Sequence, residues 1–357
     1  MPTYRDQFNA IMHYGDFDRM PVIHWTGWPE TIEEWKQQGL PEDISPHEYF
    51  RANFFFSGIH VNVNLYPLFE EETLEDTDEY RLYRDGFGVI LKDLKHSSSV
   101  PHYTDWTLKS AKEWPEFKKR LQPDPARIPD NIDEKIKEVE NSETPICLPA
   151  GSMMGWIRNW MGVEGMTWLM FEDPDCFADM VDTLSDLVCW AIDEIMKRMK
   201  KTPDIAHGWE DICGSSGPFV SPTLFEAYVA PGYRKIREKL DHYGVPLYSV
   251  DSDGDVRPLI KNWLDAGVNV MFPLEPGTWG ARPEVEMKKY GKDLRIIGGF
   301  DKLALQRGRD AIDKELESHY GRMKAGGLLL MPDHLIVPGT PLADYTYYLE
   351  KVRQLRF

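Results

Sequence analysis

Three ionisable residues carry the strongest chemical signal in this sequence: Asp251 and Asp253, two positions apart, and His334 far downstream. Two carboxylates and an imidazole are a donor set suited to Zn²⁺ or another borderline divalent ion. Residues at i and i+2 just past a strand can point the same way, and a histidine from a later strand would close the ring. The plain alternative is that Asp251 caps a helix, Asp253-Gly254 turns the chain, and His334 bonds a backbone carbonyl, since Asp-Gly turns are common after strands. A second pair, Glu210-Asp211, suits acid–base work if a pocket raises one pKa; Asp211 as a helix N-cap is the bland reading. Glu275 stands between Pro273-Leu274 and Pro276, and the flanking prolines stiffen a carboxylate whose direction matters. His24, Trp25, His207 and Trp209 are candidate substrate contacts, offering an aromatic wall for a flat molecule, although packing explains any single tryptophan as well.

These residues fall at the ends of short apolar runs. Pro21–Trp25, Ile59–Asn64, Pro145–Ala150, Ile205–Trp209, Pro246–Val250, Asn269–Pro273, Arg295–Gly299 and Leu328–Met331 make eight strand candidates bounded by Pro, Gly and polar residues. Amphipathic segments of helical period separate the later ones, as in Pro174–Lys200, where Phe177, Val181, Leu184, Val188 and Ile192 recur at spacings of three and four. Strands alternating with helices pair in parallel through right-handed crossovers, and eight of them close into a (β/α)8 TIM barrel. An open doubly wound sheet is the competing architecture, but no glycine-rich phosphate fingerprint follows any strand. In a barrel the chemistry sits where the strands end, which is where the acids and histidines lie. A β-hairpin insertion is expected around residues 78–95, about the turn Asp85-Gly86-Phe87-Gly88. No polar linker divides residues 1–357, so one domain is expected.

Composition removes several classes of function. The chain has 357 residues, 41 Lys+Arg against 59 Asp+Glu, and a formal charge of −18. Such a charge repels phosphate backbones and anionic lipid, so neither nucleic acid nor a membrane is an expected partner. No run approaches the roughly 18 apolar residues of a membrane span, and the first residues show no basic stretch followed by an apolar one. The four cysteines form no CxxC pair, which fits reduced thiols and a cytoplasmic location. HExxH, P-loop and GxSxG motifs are absent.

Arg19-Met20-Pro21-Val22, Asp85-Gly86-Phe87-Gly88, Ser221-Pro222 with Pro231-Gly232-Tyr233, Asp251-Ser252-Asp253-Gly254-Asp255, Pro273-Leu274-Glu275-Pro276, Gly298-Gly299-Phe300-Asp301 and Asp333-His334 followed by Thr340-Pro341 occur in order. Together they resemble the uroporphyrinogen decarboxylase superfamily. The resemblance implies a distorted TIM barrel and one of two chemistries. True decarboxylases carry an Arg-Gln-Ala-Gly-Arg segment after the first strand, whose arginines bind substrate carboxylates. The corresponding place here reads His24-Trp25-Thr26-Gly27-Trp28, without arginine. The other branch comprises corrinoid-dependent methyltransferases, including methylcobalamin:coenzyme M methyltransferases and O-demethylase methyltransferases. In the coenzyme M enzymes a His-x-Cys pair and a later Cys hold zinc, and Asp251, Asp253 and His334 stand at the matching positions. Loss of both thiolates argues against a thiol substrate and for a harder site that acts on an ether oxygen.

The expected activity is therefore transfer of a methyl group from a small methylated donor, preferably an aryl methyl ether, to a corrinoid carried by a partner protein. Asp251, Asp253 and His334 are the expected metal ligands, with Zn²⁺ the expected ion. Glu210, Asp211 and Glu275 are the expected acid–base residues. A tetrapyrrole decarboxylase and a non-catalytic binding barrel are the alternatives, and either a monomer or a homodimer suits the reading.

Overall fold

The computed structural model describes residues 2–96 and 101–357. Its strands are β1 (Ser57–Gly58), β2 (Glu72–Asp76), β3 (Tyr80–Arg84), β4 (Ile90–Leu94), β5 (His102–Asp105), β6 (Ile146–Pro149), β7 (Ile205–Trp209), β8 (Cys213–Gly214), β9 (Gly217–Pro218), β10 (Leu247–Asp251), β11 (Val270–Leu274), β12 (Arg295–Phe300) and β13 (Leu328–Pro332). Seven of them form one curled, all-parallel sheet in the order β1-β6-β7-β10-β11-β12-β13. Helices follow the strands in the expected rhythm, including Pro174–Met196, Ala230–His242, Pro283–Tyr290, Arg309–Ala325 and Leu342–Gln354. The sheet strands are apolar throughout because a parallel sheet under helices is buried on both faces; β11 and β13 are buried at every position.

The first expected strand, Pro21–Trp25, is not a regular strand. It joins the row by isolated parallel bridges, Ile23 with Asn53 on one side and Gly27 with Ile336 on the other. The His24 N–H donates to Asn53 O at 3.0 Å, and the Trp28 N–H donates to Ile336 O at 3.0 Å. This segment links the two ends of the seven-strand row and completes a distorted (β/α)8 barrel. The pairing is one bridge long because neither neighbour is itself extended into a strand. The second expected strand, Ile59–Asn64, is displaced: pairing stops at Gly58. Beyond it Asn62 Oδ1 accepts from the Asn64 N–H at 2.8 Å and Asn64 Oδ1 from the Leu65 N–H at 2.7 Å. Asparagine side chains that capture nearby backbone groups compete with a ladder.

The expected hairpin at residues 78–95 is present as β3 and β4, but it forms the centre of a four-stranded antiparallel sheet flanked by β2 and β5. Its outer strands were hidden because β2 is exposed at all five positions and shows no apolar alternation. Helix Tyr4–Met12 covers the N-terminal end of the barrel. Its Phe8, Ile11 and Met12 are fully buried, and Arg5 pairs with Asp204, just before β7, at 2.8 Å.

Candidate active site at the C-terminal ends of the strands

Strand register decides which side chains share the interior. Ser249 lies opposite His207, and Asp251 opposite Trp209 and Phe272. Alternation puts all five on one face of the sheet. That face is the barrel interior, where His207 packs edge-on against Phe272 with centroids 5.0 Å apart.

Asp253 and His334 meet at the rim above this interior, with Nε2 3.3 Å from Oδ2. Burial works against a charge on the His334 ring, but the hydrogen bond and charge of Asp253 outweigh it and raise the imidazole above its ordinary 6.5. The other Asp253 oxygen, Oδ1, is buried with no partner. Asp211 accepts the Asp253 N–H at 3.0 Å. Burial, then the charge of Asp253, raises the Asp211 carboxyl, and Arg158 opposes this from 3.6 Å. Asp251 lies deeper. Burial, followed by the charges of Asp253, Asp211 and Glu275, pushes it well above the carboxylate range. These four acids therefore sense one another electrostatically, and the rim strongly favours a cation or a proton.

Glu275 is anchored on every side. Its Oε1 accepts from the Gly254 N–H at 3.1 Å and the Trp279 Nε1–H at 3.0 Å, while Oε2 meets the buried Lys302 ammonium at 3.3 Å. Lys302 also faces Asp333 at 3.4 Å, and burial raises that carboxyl to about 6. Glu275 thus fixes the loop that carries Asp253. Sequence reading passed over Lys302 as part of this rim, whereas Arg158 stood out, with Arg282, as an arginine for the mouth. For Lys302 the available signal was a lone cation directly after β12, where the barrel places its functional groups.

Glu210 behaves differently from its neighbour. It is fully buried and accepts from Ser152 Oγ at 3.1 Å, from the N–H groups of Met153 and Met154 at 2.8 and 2.9 Å, from Gly155 N–H, and from the Tyr233 hydroxyl. All of these donors except Tyr233 lie at the start of the helix Gly155–Glu172, so the carboxylate sits at a helix N-terminus and ties that helix to β7. Successive residues 24 and 25 also part company. Trp25 turns inward against Phe272 and His334, with centroids 5.1 and 5.5 Å away, and Trp28 stacks on the same imidazole at 6.4 Å. His24 turns outward beneath the last helix, where Nδ1 meets the Tyr345 hydroxyl at 2.7 Å. Trp209 lies under the Arg158 guanidinium at 5.3 Å.

Asp253 and His334 offer two adjacent donors, and the orphaned Oδ1 is the kind of buried oxygen a cation satisfies. Among the described residues no three His, Cys, Asp or Glu side chains converge as a ready ligand set. Cys213 is buried, and burial first of all pushes its thiol up to about 12, so it supplies no thiolate.

Residues 131–355 match the family model described as Uroporphyrinogen decarboxylase (URO-D). The chain belongs to the URO-D family. The matched span contains Asp211, Asp251, Asp253, Glu275 and His334, so the whole acidic rim is built by URO-D family sequence. A solved structure of a methyltransferase from Methanosarcina mazei superposes with a TM-score of 0.61 at 15% identity, over 99% of this chain and 98% of that one. The likeness establishes a shared fold for this URO-D family member. Among the described residues no helix is long and apolar enough to cross a membrane.

Proposed function

We propose that this URO-D family protein takes a methyl group from a small methylated donor, with an aryl methyl ether preferred, and passes it to a corrinoid held by a partner protein. The observation that carries the reading is the Asp253–His334 pair, with its unpartnered carboxylate oxygen, under the inward-facing rings of Trp25 and Trp28. An aromatic donor would lie against these rings and Phe272, with its ether oxygen toward the acids.

The chain's own part is to orient the donor, exclude water and supply a proton. As the methyl carbon–oxygen bond breaks, the bonding pair stays on oxygen, and Asp211, whose carboxyl is raised by burial, gives its proton to that oxygen. Arg158 and the Asp253 N–H hold Asp211 in place. Asp253 and His334 would hold a divalent ion, Zn²⁺ first, with help from Asp251 or Glu275, and such an ion supplies Lewis-acid polarisation of the ether oxygen. The corrinoid supplies the methyl acceptor.

A decarboxylase acting on a polycarboxylate needs free guanidinium groups at the mouth. The two arginines that the sequence offers for this role are engaged, Arg158 on the helix Gly155–Glu172 with Asp211, and Arg282 with Glu315 and Glu284. The deciding experiment mixes the protein with a reduced corrinoid protein and a panel of methoxyarenes, and follows methyl–cobalt formation by absorbance. Coproporphyrinogen from uroporphyrinogen, with no methyl–cobalt signal, would replace the reading by decarboxylation.

A further inference from the structure

A cavity of about 270 Å³ opens beside β1, β6 and β7, walled by Phe54, Phe55, Phe56, Gly58, Pro149 and His207. For comparison, a cavity on the order of 150 Å³ accommodates a benzene ring. There is room for one substituted ring and none for a tetrapyrrole. Phe55 and Phe272 touch each other and Trp25, and Trp25 touches His334, so a continuous run of ring contacts leads from the cavity to the acidic rim.

Two imidazoles line this otherwise apolar cavity, the exposed His60 and His207, and the state of His207 can be deduced. Its Nδ1 lies 2.8 Å from Ser249 Oγ, and Ser249 Oγ lies 3.2 Å from Ala206 O. A hydroxyl has one proton and the carbonyl can only accept, so both contacts are satisfied only if Ser249 donates to Ala206 and His207 donates from Nδ1. Burial depresses the ring to about 4, which keeps it neutral at physiological pH. Nε2 is then a bare acceptor, and it has no hydrogen-bond partner among the described residues while not being sealed from the cavity.

We propose that this cavity binds an aromatic ring bearing a hydroxyl or N–H group, whose proton is received by His207 Nε2. The inference rests on the methyl-transfer reading for the reaction that follows, and narrows its donor to methoxyarenes with a free hydrogen-bond donor. Binding itself is independent of turnover. Isothermal titration of the whole protein with phenol, anisole and toluene should show phenol about five- to tenfold tighter than the other two. In His207→Phe the three should bind alike. Ser249→Ala, which releases the proton from Nδ1 but keeps the imidazole, should shrink the preference, and it serves if His207→Phe does not fold. Nitrogen NMR of the labelled imidazoles should show an unprotonated His207 Nε2 that shifts with phenol and not with anisole. Anisole binding as tightly as phenol, or an unchanged preference in His207→Phe, overturns the proposal. Phenol preference without any methyl transfer from hydroxy-methoxyarenes supports the pocket and overturns the reaction reading instead.

Discussion

His334 and Asp253 are 81 residues apart in the chain, yet Nε2 of one lies 3.3 Å from Oδ2 of the other at the barrel mouth. The contact joins the loop after β10 to the loop after β13, and it leaves Asp253 Oδ1 buried and unpaired. Two strand ends brought to one rim supply what neither loop has alone.

Asp253→Ala removes the carboxylate from this pair. Methyl transfer to a corrinoid protein is expected to fall roughly 100- to 1000-fold with the fold intact. The double variant with His334→Ala should lose little more, because the two side chains act as one unit. Initial rates of methyl–cobalt formation provide the check, and additive losses would show the residues acting separately.

Dialysis against a chelator is expected to remove a divalent ion and the activity together, with Zn²⁺ restoring both. Elemental analysis of protein purified without chelators tests this. Metal content that Asp253→Ala leaves unchanged would move the ion elsewhere.

Glu210→Ala should act on stability first. It strands Ser152, Tyr233 and three backbone N–H groups inside the protein. A loss of roughly 3–5 kcal/mol is expected, read from urea unfolding. Glu210→Gln, which keeps an acceptor oxygen, should lose less.

Acid should destabilise the protein partly through His24. Burial, with His47 beside it, lowers its folded pKa to about 3 from the ordinary 6.5. Between these values the unfolded chain binds the extra proton, so unfolding free energy rises with pH. The contribution is complete above pH 6.5 and is lost as pH falls toward 3, at up to ~1.4 kcal/mol per pH unit. His207, lowered to about 4 by burial, acts with the same sign. In His24→Phe the slope of stability against pH, measured by urea unfolding between about pH 4.5 and 7, should be shallower.

Gly254 links the two carboxylate systems of the rim. Its φ is +91°, and a Cβ would lie 2.6 Å from the Cys213 carbonyl carbon and oxygen. Its N–H is held by Glu275. Gly254→Ala is expected to cost roughly 2 kcal/mol or more and to displace Asp253, lowering methyl transfer more than donor affinity. Unfolding curves and separate kcat and KM values distinguish the two effects.

Much of the architecture was legible because it follows from local pattern. The apolar runs that became β6, β7, β10, β11, β12 and β13 were visible as short buried strands, and Pro174–Met196 announced itself by helical period. Barrel logic then placed Asp253, Glu275 and His334 at one end. The segment at Pro21–Trp25 looked like any other strand, since its composition says nothing of how few partners it finds. Exposed β2 had no apolar alternation to reveal it.

The amino-acid order by itself determined which side chains stand at strand ends, because periodicity and chain breaks are properties of neighbouring residues. Only the tertiary structure decided what each of them faces. Adjacent Glu210 and Asp211 look equivalent in the chain, yet one is enclosed by helix-terminal donors and the other opens toward Asp253. His24 and Trp25 likewise divide between the helix layer and the interior. Burial and charge depend on distances through space, and those are set when strands far apart in sequence pack side by side.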